Sequence, residues 1–304
     1  MLFNILMKIS PLFKLHLIVF LWGFTGVVGK IISISALPLV WVRMLFAFVI
    51  VYFYLRYRKI PILISKKLVI KLLLIGGIIA LHWYTFFYAI KVSNASIAVS
   101  TLSTGALFTS FLEPIFLKKK LNFLEVFLAI IVSICIFIIF KAESKYYIGI
   151  IIGLISSFLS ALFQVINGKV YKETHASSIV LYELIGGWLL ITCMLFGFEN
   201  FNEIIKISFV DILWLLLLAG ILTAYPLIES VSLMKHFSPF SLILTINLEP
   251  IYTIIIAYFI WKEEEQMSSV FYICTAVILS MIIINGYIKS KEKTKKSPLN
   301  AISK

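Results

Sequence analysis

Apolar residues in this chain come in blocks and do not alternate. Ten stretches of about twenty mostly apolar residues stand between short polar gaps: 13–32, 36–55, 68–90, 94–117, 121–140, 147–170, 177–197, 209–234, 239–261 and 268–288. A helix needs that length to cross about 30 Å of hydrocarbon. Several strings are β-branched, such as Ile130–Phe140 and Ile282–Ile284, and in water they would suggest strands. Their length and lack of alternation favour helices, because an open sheet edge is not tolerated in lipid. The pattern predicts an all-α integral membrane protein with ten transmembrane helices.

Composition narrows the function. The 304 residues are 62% hydrophobic and 13% charged, with a mean hydropathy of +1.07, where soluble domains carry about 25% charge. Such a chain cannot cover itself with a water-compatible surface. A soluble enzyme, a nucleic-acid-binding domain and a disordered chain are all excluded. The longest gaps hold about a dozen residues, enough for connectors, so the chemistry must lie within the bundle or at its mouths.

The net charge of +13 fits solvated flanks better than a polyanion-binding face, because the basic residues sit between the apolar runs and in the tail. With the N-terminus placed inside, twenty Lys and Arg fall on the inner side: Lys8, Lys14, the group from Arg56 to Lys71, Lys118–Lys120, Lys169, Lys172, Lys235 and the tail. Six fall outside, at Lys30, Lys91, Lys141, Lys145, Lys206 and Lys262, and Arg43 lies within the second span. The positive-inside rule then puts both termini in the cytoplasm, with the chain in the cell (inner) membrane. The N-terminal run lacks a small-x-small cleavage pattern and reads as a retained first helix. Cys135, Cys193 and Cys274 are odd in number and lie in predicted spans. They have no metal-ligand spacing with the four histidines, so neither a metal nor a cofactor is expected.

The chain also repeats itself. Gly29-Lys30 ending span one returns as Gly168-Lys169 ending span six. A shift of 144 pairs Lys91 with Lys235, Asn94-Ala95 with Ser238-Pro239, and Lys119-Lys120 with Glu263-Glu264. The expected units are two five-helix halves, 1–145 and 146–304, the second carrying the basic tail. Because five is odd, the second half enters the membrane in the opposite sense. Inverted repeats are typical of secondary transporters, with the substrate site near the midplane.

The motifs carry a resemblance. Leu21-Trp22-Gly23-Phe24-Thr25-Gly26 with Gly29-Lys30, then Pro38 and Arg43, Tyr88-Ala89-Ile90-Lys91 with Ser93 and Ala95-Ser96, and Leu248-Glu249-Pro250 with Glu263–Glu265 are similar to the EamA family of the drug/metabolite transporter superfamily. The likeness covers nearly the whole chain. It departs where Gly105-Ala106 stands opposite Glu249-Pro250, and where Lys118–Lys120 replaces an acidic cap; a separate Leu112-Glu113-Pro114 lies eight residues on. The resemblance implies a ten-helix metabolite carrier working by alternating access without ATP. It leaves open the substrate, since members handle amino acids, sugars, drugs and other small solutes.

Ionisable groups inside a membrane cost about 2.5–3.5 kcal/mol each on insertion scales and are candidates by default. Arg43 either attracts an anionic group or serves helix-end carbonyls. A shift of 140 matches it to Glu183, which the inverted repeat places at the opposite depth. His82, Glu229 and Glu249 are candidates for proton coupling; Glu229 follows Tyr225-Pro226, and Glu249 precedes Pro250 beside Asn247. Proline leaves a local break that a polar site can use. Glu113, next to three lysines, is read as an interfacial ion pair. Gln164 and Asn167 share a helical face. Gly23, Gly26 and Gly29 recur every three residues and suit close helix packing. Candidate substrate-binding residues are Trp22, Thr25, Arg43, Trp83, Tyr84, Gln164, Asn167, Tyr225 and Asn247.

The leading expectation is a secondary active transporter, an exporter of small metabolites such as amino acids or drug-like solutes, with proton coupling one option. A nucleotide-sugar or phosphate-ester antiporter is the runner-up, although it would need several cavity cations. A membrane-embedded enzyme would need a reactive constellation, and the sequence offers no catalytic residues for one. The expected partners are a small-molecule substrate and the lipid bilayer, not nucleic acid, with a homodimer left open.

Overall fold

Polar side chains between the apolar runs set the helix ends in a computed structural model, which describes residues 10–118, 123–198 and 201–295. Lys8, Lys119, Lys120, Lys296 and Lys304, used in the charge reading above, lie outside the described residues, as do the first two residues of the 121–140 stretch. Ser10, Ser65, Asn94, Ser208 and Ser238 each stand before a helix and accept from the backbone N–H three residues on, which satisfies a donor that the helix itself cannot.

The helices are α1 (Pro11–Ile31), α2 (Ala36–Tyr57), α3 (Lys66–Val92), α4 (Ala95–Leu102), α5 (Gly105–Leu117), α6 (Phe123–Ala142), α7 (Tyr147–Val170), α8 (Ala176–Phe198), α9 (Phe201–Ile205), α10 (Phe209–Ala219), α11 (Tyr225–Leu233), α12 (Pro239–Ile246), α13 (Glu249–Trp261) and α14 (Ser269–Lys295). No strand occurs among the described residues; the β-branched strings are helical, as expected. Among the described residues, eight stretches are long and apolar enough to cross a membrane, α4–α5, α10–α11 and α12–α13 each counting as one. Two further apolar helices are shorter, Ile130–Ala142 and Ser269–Met281. Large apolar side chains such as Phe53, Leu74, Ile115, Phe196 and Phe259 lie on the outside, where lipid accommodates them. The protein is a multi-pass membrane protein.

Three traverses are interrupted. Between α4 and α5 the chain tightens at Ser103 and Thr104, whose N–H groups bond to Ser100 and Thr101. Between α12 and α13 it does the same at Asn247 and Leu248, with Pro250 in the first turn of α13, where its missing N–H costs nothing. The expected break at Pro250 is therefore present, and the first break stands 144 residues earlier. The ends match as well. Lys118 closes α5 and Lys262 closes α13, both at positive φ (53° and 39°). The third interruption is a π-helical turn, Gly220–Ala224, joining α10 to α11 just ahead of Pro226.

Two apolar cores flank the middle. One gathers residues of α2, α3, α8 and α10, among them Leu39, Leu72, Ile79, Ile191 and Leu215. The other gathers α5, α6, α7, α12 and α14, among them Val132, Ile150, Phe240 and Phe271. Both cores therefore draw on helices from each half of the chain. The glycine stripe of α1 packs as expected. A Cβ at Gly23 would stand 2.6 Å from the Cβ of Tyr252, and the Gly23 carbonyl accepts from Thr253 Oγ1 at 2.7 Å.

Candidate functional site

Arg43 is the starting point. It is the eighth residue of α2 and only 1% exposed. Its guanidinium lies flat over Trp83 (3.9 Å from Cζ to the ring centroid) and also faces Phe87 at 5.3 Å. Nε donates to Thr223 Oγ1 at 2.7 Å, and Thr223 in turn donates to the Leu218 carbonyl. The π-helical turn thus brings a hydroxyl to the arginine. One terminal nitrogen is buried without a hydrogen-bond partner among the described residues. Glu249, in the first turn of α13, is the carboxylate that attracts Arg43, with no ion pair within 4 Å between them among the described residues.

These two groups line a cavity of about 60 Å³. Its walls include Trp22, Thr25, Arg43, His82, Trp83, Gln164, Asn247 and Glu249 from the sequence reading. Buried polar groups normally find partners. Here four lining residues each keep a buried atom without one among the described residues: Thr25 Oγ1, one Arg43 terminal nitrogen, Gln164 Oε1 and Asn247 Nδ2. They come from α1, α2, α7 and the break between α12 and α13. His82 is fixed differently. Its Nδ1 lies 2.9 Å from the Ser156 carbonyl oxygen and so carries the hydrogen, while the ring packs against Phe86 and Phe163. That leaves Nε2 as an acceptor.

The remaining candidates lie elsewhere. Tyr84 stacks on Tyr88, centroids 5.8 Å apart. Tyr225 packs with Trp22 on the cluster of Leu15, Ile18 and Val19. Glu229 pairs with Lys14 at 3.5 Å, with about a fifth of its side chain exposed. Asn167 is buried beside Glu183, away from the cavity. Residues the sequence reading missed include Phe86, Gly105, Ser160, Phe163 and Ile246. The signal for Ser160 was present, since it stands one turn before Gln164 on the same helical face. Nothing in the sequence distinguished Leu102, Leu227 or Ile243 from other buried aliphatics.

Carboxylates close both ends of the interrupted helices. Glu265 is buried and accepts from the Ala95 and Ser96 N–H groups at 3.0 and 2.9 Å, from Ser96 Oγ at 2.7 Å and from Lys30 Nζ at 2.9 Å. At the other end Glu113 Oε1 accepts from the Phe240 N–H at 2.8 Å. Glu113 is buried, and this contact sets it on the N-terminus of α12; Lys119 and Lys120 of its expected ion pair lie outside the described residues.

The chain is thus a multi-pass helical bundle with a buried, polar and aromatic cavity beside interrupted helices. Residues 10–141 match the model of the EamA-like transporter family, which belongs to the drug/metabolite transporter superfamily. The resemblance read from the motifs is borne out over that half. No curated protein matches the chain. A crystal structure of another protein superposes with a TM-score of 0.67 at 12% identity, over 90% of this chain and 95% of that one. At that identity the likeness concerns the fold alone.

Proposed function

We propose that this protein is a secondary active transporter, a proton-coupled exporter of small zwitterionic or amphipathic metabolites such as amino acids, working by alternating access. The observation that carries this reading is the cavity. Four residues that line one space each keep a buried polar atom without a partner among the described residues, with a cation at Arg43, a carboxylate at Glu249 and aromatic walls from Trp22, Trp83 and Phe163. An ammonium group suits Glu249 and Gln164. A carboxylate suits Arg43 and Asn247. Arg43 is the one arginine or lysine lining the cavity, which disfavours a phosphate-ester antiporter.

On this reading the chain makes ten spans, as two inverted five-helix repeats, in the cell membrane with both termini cytoplasmic. The packing supports the repeat. α3 packs on α7 and α8 as the α10–α11 traverse packs on α1 and α2; α4–α5 packs on α7 as α12–α13 packs on α1; and α6 pairs with α14. The matched breaks support it too, as do the helix ends at positive φ at Lys118 and Lys262. Glu265 and Glu113 close the two faces, and each releases its helix end in turn.

Glu249 is the coupling carboxyl at the substrate, exchanging Arg43 for a proton or an ammonium group as the cavity opens. Uptake of a labelled-metabolite panel into proteoliposomes, with and without a pH gradient, tests the proposal. Saturable, gradient-driven uptake in wild type whose gradient dependence falls in Glu249→Gln is the expected result. Non-saturable flux of every small solute would refute a carrier, and saturable flux indifferent to the gradient would refute proton coupling.

A further inference from the structure

Glu183 is the eighth residue of α8, as Arg43 is of α2, yet it lies outside the cavity. It is 0% exposed, and neither carboxyl oxygen has a hydrogen-bond partner among the described residues. The side chain that interacts with it is Asn167 of α7, itself buried with both amide atoms unpartnered. Around them the packing is tight. The Glu183 carbonyl touches α3 at Gly76, and Gly186 and Gly187 continue the backbone contact.

On the surrounding elements, Arg56, Lys66, Lys67 and Lys91 are exposed near helix ends, and the other charged groups are engaged elsewhere. On α2, Arg43 is committed to Thr223 and Trp83. On α3, His82 binds Ser156 and Lys71 pairs with Glu173. On α7, Lys169 lies over Phe116. On α11, Glu229 pairs with Lys14. His175, before α8, accepts from the Ser177 N–H through Nδ1. No ion pair within 4 Å reaches Glu183 among the described residues. An ionised carboxylate without a partner is too costly to bury, and such a group neutralises. A metal cation is a poor alternative, because hard cations take about six or more oxygens, and Glu183 with Asn167 supplies three.

We propose that Glu183, with Asn167 beside it, is a second proton-binding site, holding a proton in this conformation and releasing it to water when the contact between α3 and α8 opens. The carboxylic acid becomes a carboxylate, one proton passes to solvent, and the opposite face reloads it. This inference rests on the transporter reading above and adds one coupled proton to the one assigned to Glu249.

Two readouts separate its failure from failure of that reading. The first is infrared titration of the purified full-length protein without substrate. A protonated-carboxyl band persisting at neutral pH in wild type, absent in Glu183→Gln and shifted in Asn167→Leu, is the expected result. The second is accumulation in proteoliposomes, where each coupled proton contributes about tenfold per pH unit; Glu183→Gln should lose about tenfold while still transporting. No such band in wild type, or a band unchanged in Glu183→Gln, overturns the site whatever is transported. A band lost in Glu183→Gln with accumulation unchanged overturns its coupling role. Accumulation that follows a sodium gradient at constant pH and is lost in Glu183→Gln overturns the proton as its ligand. If no solute is transported while the band behaves as expected, the transporter reading fails and the proton site stands.

Discussion

Removing the Glu265 carboxylate should open one face of the protein. In Glu265→Ala, the Ala95 and Ser96 N–H groups and the Ser96 hydroxyl lose their acceptor, and Lys30 loses its shorter contact. Removing one partner of a buried pair costs about 3–5 kcal/mol. Lys30 is 19% exposed and keeps Glu264 at 3.2 Å, which argues for the lower end. About 3 kcal/mol is roughly a hundredfold in an equilibrium. If the contact holds that face closed, a cysteine at Thr25 in the cavity wall, with Cys135, Cys193 and Cys274 replaced, should react with an impermeant maleimide roughly a hundredfold faster from the Lys30 face. Glu264→Ala serves as the control. Glu264 is 70% exposed, and exposed pairs contribute about 0–1 kcal/mol, so its labelling rate should change by a few-fold at most. A folded Glu265→Ala protein labelled at the wild-type rate would refute the reasoning.

Other substitutions test the packing and the site separately. Arg43→Lys keeps the charge but loses the flat stack on Trp83 and the fork geometry; uptake should fall at least about tenfold, an energy within the range of a desolvated cation–π contact, and near-normal uptake would argue against that geometry. Gly76→Ala adds a methyl that overlaps the Glu183 carbonyl, whereas at Gly77 it meets only Leu190 Cδ2 at 3.5 Å. Overpacking costs about 1–3 kcal/mol, so thermal melting should fall in Gly76→Ala and stay near wild type in Gly77→Ala. Burial, and then Lys235, hold the His175 imidazole below its usual pKa. The unfolded chain therefore binds more protons, and the stability contributed by His175 is present above about pH 6.5 and lost as pH falls. Melting followed from pH 8 to 5 should show a drop that is smaller in His175→Gln.

The sequence was most readable where one residue decides the local outcome. Asn94 and Ser238 were matched as starts of their spans, and both cap helices. Pro250 marked a break, and Arg43 is at a cavity. It was least readable where direction around a helix decides. Glu229 and Glu249 both sit near a proline in an apolar run, yet one reaches Lys14 and the other the cavity. Trp83 lines the cavity, while Tyr84, about 100° further around α3, stacks on Tyr88. Gln164 and Asn167 do share a face, but three residues advance the helix by about 4.5 Å, enough to carry Asn167 past the cavity to Glu183. The closing roles of Glu113 and Glu265 needed the tertiary structure, because their partners lie 127 and about 170 residues away.

Charge balance gives a reason why the two similar breaks carry different residues. The two breaks are equivalent in backbone, but Gly105 heads α5 where Glu249 heads α13. Packing does not demand the glycine, since a Cβ there would meet nothing closer than 3.4 Å. Electrostatics favours it. The cavity holds one buried cation, Arg43, and one carboxylate offsets it; a second acid at position 105 would leave an excess charge at about 2.5–3.5 kcal/mol on insertion scales. The same accounting applies to Glu183. Arg43, at the same place in α2 as Glu183 in α8, is offset by Glu249, whereas Glu183 has no ion pair within 4 Å among the described residues, and on the proposal above a proton neutralises it.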